Sequence, residues 1–134
     1  MAEPIAYRKM NGLGNDFVVV DARVGGWRFS ADQVRRIADR ETGIGCDQFI
    51  VMEKAPFEAA DVFMRIYNAE GGEVDACGNA TRCVAALVAG ELGSDRVTVA
   101  TNAGLLAGQV AGDMVTIDFG VPVRSEERRV GKEC

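Results

Sequence analysis

The sequence predicts an α+β fold: a mixed or antiparallel β-sheet wrapped as a barrel around one central helix. Three observations lead there. Between Ala80 and Gly90 the only polar side chains are Thr81 and Arg82, with Cys83 a small thiol. A helix apolar on nearly every face belongs in the middle of a domain. Short segments that are β-branched or alternating, and bounded by turn residues, recur along the rest of the chain. These segments do not alternate regularly with helices, which argues against a doubly wound parallel sheet.

In order, residues 5–10 read as a short strand leading into a turn-rich loop, Asn11-Gly-Leu-Gly-Asn15-Asp16. Residues 17–21 follow as a buried strand, Phe-Val-Val-Val-Asp. Ser30-Ala-Asp-Gln33 matches a capping box that opens a helix. Val34, Ile37, Ala38 and Glu41 mark its inner face, while Arg35, Arg36, Asp39 and Arg40 face solvent, and Gly43 is placed to end it in a left-handed conformation. This helix reads as scaffold. A second glycine-rich loop, Gly43-Ile-Gly45-Cys46-Asp47-Gln48, enters the strand at 49–53, so the two loops can bring Asn15 and Gln48 to one rim. Asp16 and Asp47 are expected to brace their loops.

Residues 61–68 alternate, with Val62, Met64 and Ile66 on a core face and Phe63, Arg65 and Tyr67 on the other. A turn at 68–72 and a short arm at 73–76 deliver Cys77 to the apolar helix, which Gly90 and Gly93 are expected to break. Three more strands follow at 96–100, 105–110 and 114–119. Residues 124–134 are dense in opposed charges with one apolar side chain; they read as a disordered, non-native tail, and Cys134 as without function.

Composition bounds the function. The 134 residues include 48% hydrophobic and 26% charged side chains with a net charge of −5, which favours one soluble domain. No basic stripe suggests nucleic acid, and no apolar run approaches the ~20 residues that cross a membrane. The N-terminus lacks the basic start and apolar core of a signal peptide, so the reading is cytoplasmic. There is no histidine, and no two of the four cysteines have CxxC spacing, which argues against zinc and hydrolytic triads. Glu70, Glu73 and Asp75 fit a solvated turn better than a calcium loop. Acid–base chemistry must therefore use Cys, Asp, Glu, Lys or Tyr. Cys77 is the candidate, because a thiol at a helix N-terminus is acidified by the field there. Cys46 and Cys83 read as small buried residues.

With Asn11-Gly-Leu-Gly-Asn-Asp-Phe17, Gly43-Ile-Gly-Cys-Asp-Gln48, Arg65-Ile-Tyr-Asn68 and Ala76-Cys-Gly-Asn-Ala-Thr-Arg-Cys83 in succession, the chain resembles the diaminopimelate epimerases from about Tyr7 to about Val123. The resemblance implies the first of two similar domains that form a pseudo-symmetric fold, so that residues 1–123 are the N-terminal half and the C-terminal domain is missing. It implies a homodimer for the full-length enzyme, and interconversion of LL- and meso-diaminopimelate for lysine and cell-wall synthesis, with no cofactor or metal. Two cysteines on opposite faces of the substrate α-carbon do the chemistry in that family. By resemblance Cys77 is the first of them, Gly78 and Asn79 give backbone donors to the α-carboxylate, and Asn15, Gln48 and Asn68 bind substrate. Cys46, Cys83 and Cys134 do not match the second cysteine, so this polypeptide alone is expected not to epimerise. The alternatives are a related isomerase of the same fold, proline racemase-like or phenazine-biosynthesis-like, and a non-catalytic fragment that self-associates.

Overall fold

One sheet with two apolar faces accounts for the unbroken Phe17–Val20 run. In the computed structural model, which describes residues 5–12, 14–56, 58–75, 77–111 and 114–118, alternate residues of this run enter two separate cores. Phe17 and Val19 pack inward with Ile50, Met52, Val62, Met64 and Ile66. Val18 and Val20 pack outward with Val34, Ala38, Phe49 and Val51. A strand covered on both faces has no polar positions to alternate with.

The strands are β1 (Tyr7–Gly12), β2 (Asn15–Asp21), β3 (Gln48–Glu53), β4 (Val62–Asn68), β5 (Glu73–Val74), β6 (Arg96–Thr101), β7 (Gly104–Ala111) and β8 (Met114–Asp118). The helices are α1 (Ala31–Ala38), between β2 and β3, and α2 (Gly78–Leu92), between β5 and β6. Hydrogen bonding orders the sheet β1-β2-β3-β4-β6-β7-β8, with β5 paired to β4. Two neighbour pairs, β2 with β3 and β4 with β6, are parallel, and the others are antiparallel. The sheet is thus mixed, because each helix serves as the crossover that a parallel pair requires.

Helix α2 packs against β1 and β8, the two ends of the strand order, and against β4, β6 and β7 between them. Only a curled sheet lets one helix touch both of its ends, so the expected wrapping around a central helix is what the chain adopts. Val84, Ala85, Val88 and Ala89 are buried in that concavity. The helix comes close to β7 because position 108 is glycine: a Cβ built there would lie 2.9 Å from the Ala85 Cβ. Helix α1 covers the outer face, and Ser30 and Gln33 form the expected capping box.

Some expected boundaries move. Gly90 does not break α2, which runs on to Leu92 and ends at Gly93 with φ 66°. Gly90 is tolerated because a mid-helix glycine costs under about 1 kcal/mol, less than packing of the neighbouring turns supplies. Helix α1 stops at Ala38 with Asp39 as its cap, so Gly43 does not terminate it. The Gly43 Cα instead lies against the Arg36 carbonyl, where a side chain would clash, and the left-handed residue is Gly45, φ 86°. Asn11 and Gly12 belong to β1 and not to a loop, as they pair with Asp16 and Asn15. The readings for the end of the last strand, residues 124–134 and Cys134 lie outside the described residues.

Candidate active site

Cys77 is the N-cap of α2, with extended backbone (φ −153°, ψ 116°). Its Sγ accepts the Ala80 N–H at 3.4 Å, and its carbonyl accepts the Thr81 N–H at 2.9 Å and the Thr81 hydroxyl at 2.7 Å. An extended residue followed by helix is what an N-cap requires, and the sulfur does the work usually done by a Ser or Asp oxygen. Gly78 and Asn79 occupy the first two helical positions, where backbone N–H groups point out of the helix start. Cys77 is fully buried rather than presented to solvent.

The sheet brings the other candidates to the same end. Asn15 lies two residues before Phe17, Gln48 two before Ile50, and Asn68 two after Ile66. Strand alternation therefore puts all three on the concave face with those core residues. Register sets Gln48 opposite Asn68 and places Asn15 two residues further along β2, since Phe17 pairs with Gln48 and Gln48 pairs with Asn68. Phe17, Ile50 and Ile66 share one core cluster with Cys77, Ala80 and Cys83, so the polar ends of β2, β3 and β4 border the start of α2. A direct bond closes the arrangement: Asn79 Nδ2 donates to Asn15 Oδ1 at 2.8 Å across 64 positions of sequence. Gln48 Oε1 is buried and has no hydrogen-bond partner among the described residues. Asn68 differs, because its Oδ1 accepts the Glu70 and Gly72 N–H groups, each at 3.0 Å, and so shapes the turn after β4.

Comparison with known proteins decides the family. Residues 7–125 match the family model for diaminopimelate epimerase. The chain is also 52% identical, over 123 residues, to the diaminopimelate epimerase of Acidiphilium cryptum, covering 91% of this chain and 44% of that protein. The chain belongs to the diaminopimelate epimerase family. It spans less than half the length of that curated relative. The fold is shared more widely. Methylitaconate-delta-isomerase superposes with a TM-score of 0.64 at 15% identity, covering 89% of this chain and 65% of that one. A phenazine biosynthesis protein of the PhzF family from Enterococcus faecalis gives 0.60 at 19%, covering 91% and 48%.

Within this epimerase-family chain, three cations that sequence reading left out are tied to a candidate residue or to the aspartates beside Asn15 and Gln48. Arg40, read as a solvent-facing scaffold residue, forks onto Asp16 (Nη1 to Oδ2 at 3.0 Å, Nη2 to Oδ1 at 2.8 Å) and reaches Asp47 Oδ1 at 3.0 Å. Lys9 pairs with Asp16 at 3.2 Å and donates to the Gly45 carbonyl. The Arg40 guanidinium holds the Asp16 carboxyl well below the usual carboxylate range, aided by the Asp47 N–H and Lys9. Arg82 donates to Asn79 Oδ1 at 2.7 Å. The i, i+3 spacing of Asn79 and Arg82 on a helix was the available signal for that contact; Arg40 and Lys9 had none, being 24 and 7 positions from Asp16 on other elements.

The other thiols are core residues. Cys46 lies in the outer core, and Cys83 sits in the inner core with its thiol against the Asn11 carbonyl at 3.7 Å. Burial pushes both thiols up. Glu73 is paired to Arg65 at 2.6 Å and accepts from Asn102 at 2.8 Å, a surface network joining β4, β5 and the β6–β7 turn. No helix among the described residues is long and apolar enough to cross a membrane.

Proposed function

We propose that this chain carries the first half of an active site that interconverts LL- and meso-diaminopimelate without a cofactor, with Cys77 as one of two acid–base thiols. The observation that carries the reading is the convergence of Asn15, Gln48 and Asn68, from three adjacent strands, on the helix start that Cys77 caps. Family membership supplies the substrate class. The polar groups suit an amino acid: the start of α2 and the Asn15 amide offer N–H donors for a carboxylate, and Gln48 Oε1, without a partner among the described residues, offers an acceptor for an ammonium group.

An amino-acid α-proton is weakly acidic, so a thiolate removes it only where the carbanion is stabilised. Donors fixed at a helix N-terminus act on the carboxylate, where that charge accumulates. The Ala80 N–H directed at Sγ supports negative charge on the sulfur in the same way. Inversion needs a second acid on the opposite face of the carbon. Cys46 and Cys83 lie in core positions and do not supply it; we assign it to a second domain, with which residues 1–123 would form the whole enzyme, a cytoplasmic homodimer.

The polypeptide on its own is therefore proposed not to invert diaminopimelate. Incubation in deuterium oxide, with chiral separation of the stereoisomers, tests this. Stereoinversion at a rate abolished by Cys77→Ala would overturn the half-site reading. Absence of any diaminopimelate-dependent change at the rim would count against the substrate.

A further inference from the structure

A continuous hydrogen-bonded chain runs from the protein surface to the first turn of α2. Arg40 Nη2 holds Asp47 Oδ1 at 3.0 Å. Asp47 Oδ2 accepts from Asn15 Nδ2 at 3.4 Å, Asn15 Oδ1 accepts from Asn79 Nδ2 at 2.8 Å, and Asn79 Oδ1 accepts from Arg82 Nη1 at 2.7 Å. The two ends differ in kind. A guanidinium only donates, and an ionised carboxylate only accepts.

A side-chain amide can turn over about its last bond and exchange its oxygen for its NH2, so an isolated Asn pair has two orientations of similar energy. Here one orientation satisfies all four bonds just given. Arg82 requires an oxygen from Asn79, which turns the Asn79 nitrogen toward Asn15. Asp47 requires a nitrogen from Asn15, which turns the Asn15 oxygen toward Asn79. Reversing either amide would set nitrogen against guanidinium or oxygen against carboxylate. We infer that Arg82 and Asp47 are positioning residues that fix the polarity of the Asn15–Asn79 pair, with Arg40 locking Asp47 in place. The consequence is a rule for the site. One hydrogen of the Asn15 NH2 and one lone pair of its oxygen are committed inside the chain, so the orientation in which this amide meets a ligand is fixed. The pair therefore presents a ligand with one fixed arrangement of donor and acceptor at this point.

This inference rests on the reading of Asn15 and Asn79 as ligand-facing groups, but its test does not need a ligand. Nitrogen-15 spectra of the full 134-residue chain resolve each side-chain amide as a pair of proton resonances. The unaltered chain is expected to show one set for Asn15 and one for Asn79. In Arg82→Met the Asn79 set should split or shift, and the Asn15 set should follow, although residue 82 donates to Asn79 and not to Asn15. Arg82→Lys, which keeps a donor, should restore the single sets. Asp47→Asn should disturb the pair from the opposite end, and serves if Arg82→Met does not fold. Unchanged Asn15 resonances in a folded Arg82→Met or Asp47→Asn chain overturn the inference. Added meso-diaminopimelate gives the second arm: its titration midpoint should rise roughly tenfold in Arg82→Met, the equivalent of one hydrogen bond, and recover in Arg82→Lys. An unaltered chain whose rim resonances ignore the ligand would count against the proposed substrate and leave the polarity result to be read from the unliganded spectra.

Discussion

Asp16 and Asp47 hold each other reciprocally. The Asp16 N–H donates to Asp47 Oδ2 at 3.1 Å, and the Asp47 N–H donates to Asp16 Oδ1 at 2.8 Å. Each carboxylate thus satisfies the backbone N–H of the other residue, 31 positions away, and Arg40 forks across the pair. The latch ties the residue after Asn15 to the residue before Gln48. It joins the start of β2 to the entry of β3 as one rim.

The latch is pH-sensitive in a definite direction. The Asp16 carboxyl is depressed in the folded state, chiefly by Arg40, so its contribution is present above the ordinary carboxylate value of 3.8 and is lost as pH falls through the folded value. Urea midpoints measured from pH 7 downward should show Asp16→Asn less stable than the parent at neutral pH. The gap should narrow below about pH 4. A gap independent of pH would remove the ionised latch as its cause.

The cap and the thiol of Cys77 are separable. Cys77→Ala removes the acceptor of the Ala80 N–H and should cost about 1 kcal/mol in urea denaturation, whereas Cys77→Ser keeps an acceptor and should recover most of it. Both should abolish any diaminopimelate-dependent deuterium incorporation, because neither carries a thiol. Incorporation surviving in Cys77→Ser would move the chemistry elsewhere.

Two glycines three residues apart, one within α2 and one capping its end, should respond with opposite sign. Gly90 is exposed, helical and has open space where a Cβ would stand, so Gly90→Ala should stabilise by up to about 1 kcal/mol. Gly93 has a φ of 66°, so Gly93→Ala should cost about 1 kcal/mol. Paired thermal melts decide this, and equal signs would contradict the helix end described above.

Gly108 is a packing glycine. Its added Cβ would lie 2.9 Å from the Ala85 Cβ, so Gly108→Ala should cost about 1–3 kcal/mol by forcing α2 away from β7. Ala85→Gly in the same chain should return part of that loss, which a double-mutant cycle measures.

Much of this molecule was legible from local pattern. The apolar run of α2, the Ser30–Gln33 box, the alternation in β4 and the glycine–thiol start of α2 depend on neighbours within a few positions, and periodicity records those directly. The motif set also placed the chain in its family. Tertiary structure alone decided the rest. The parallel pairing of β2 with β3, the Asn15–Asn79 bond and the Arg40 latch join residues far apart in sequence, and no local period encodes which partners meet. The same holds for α2 continuing past Gly90: a weak local penalty lost to the burial of Val88 and Ala89 within a curled sheet. Sequence determined that Cys77 stands before a buried helix. The fold decided that three strand ends lie on the concave face toward it, one of them bonded to Asn79, because a sheet curled around that helix gathers their polar ends at one rim.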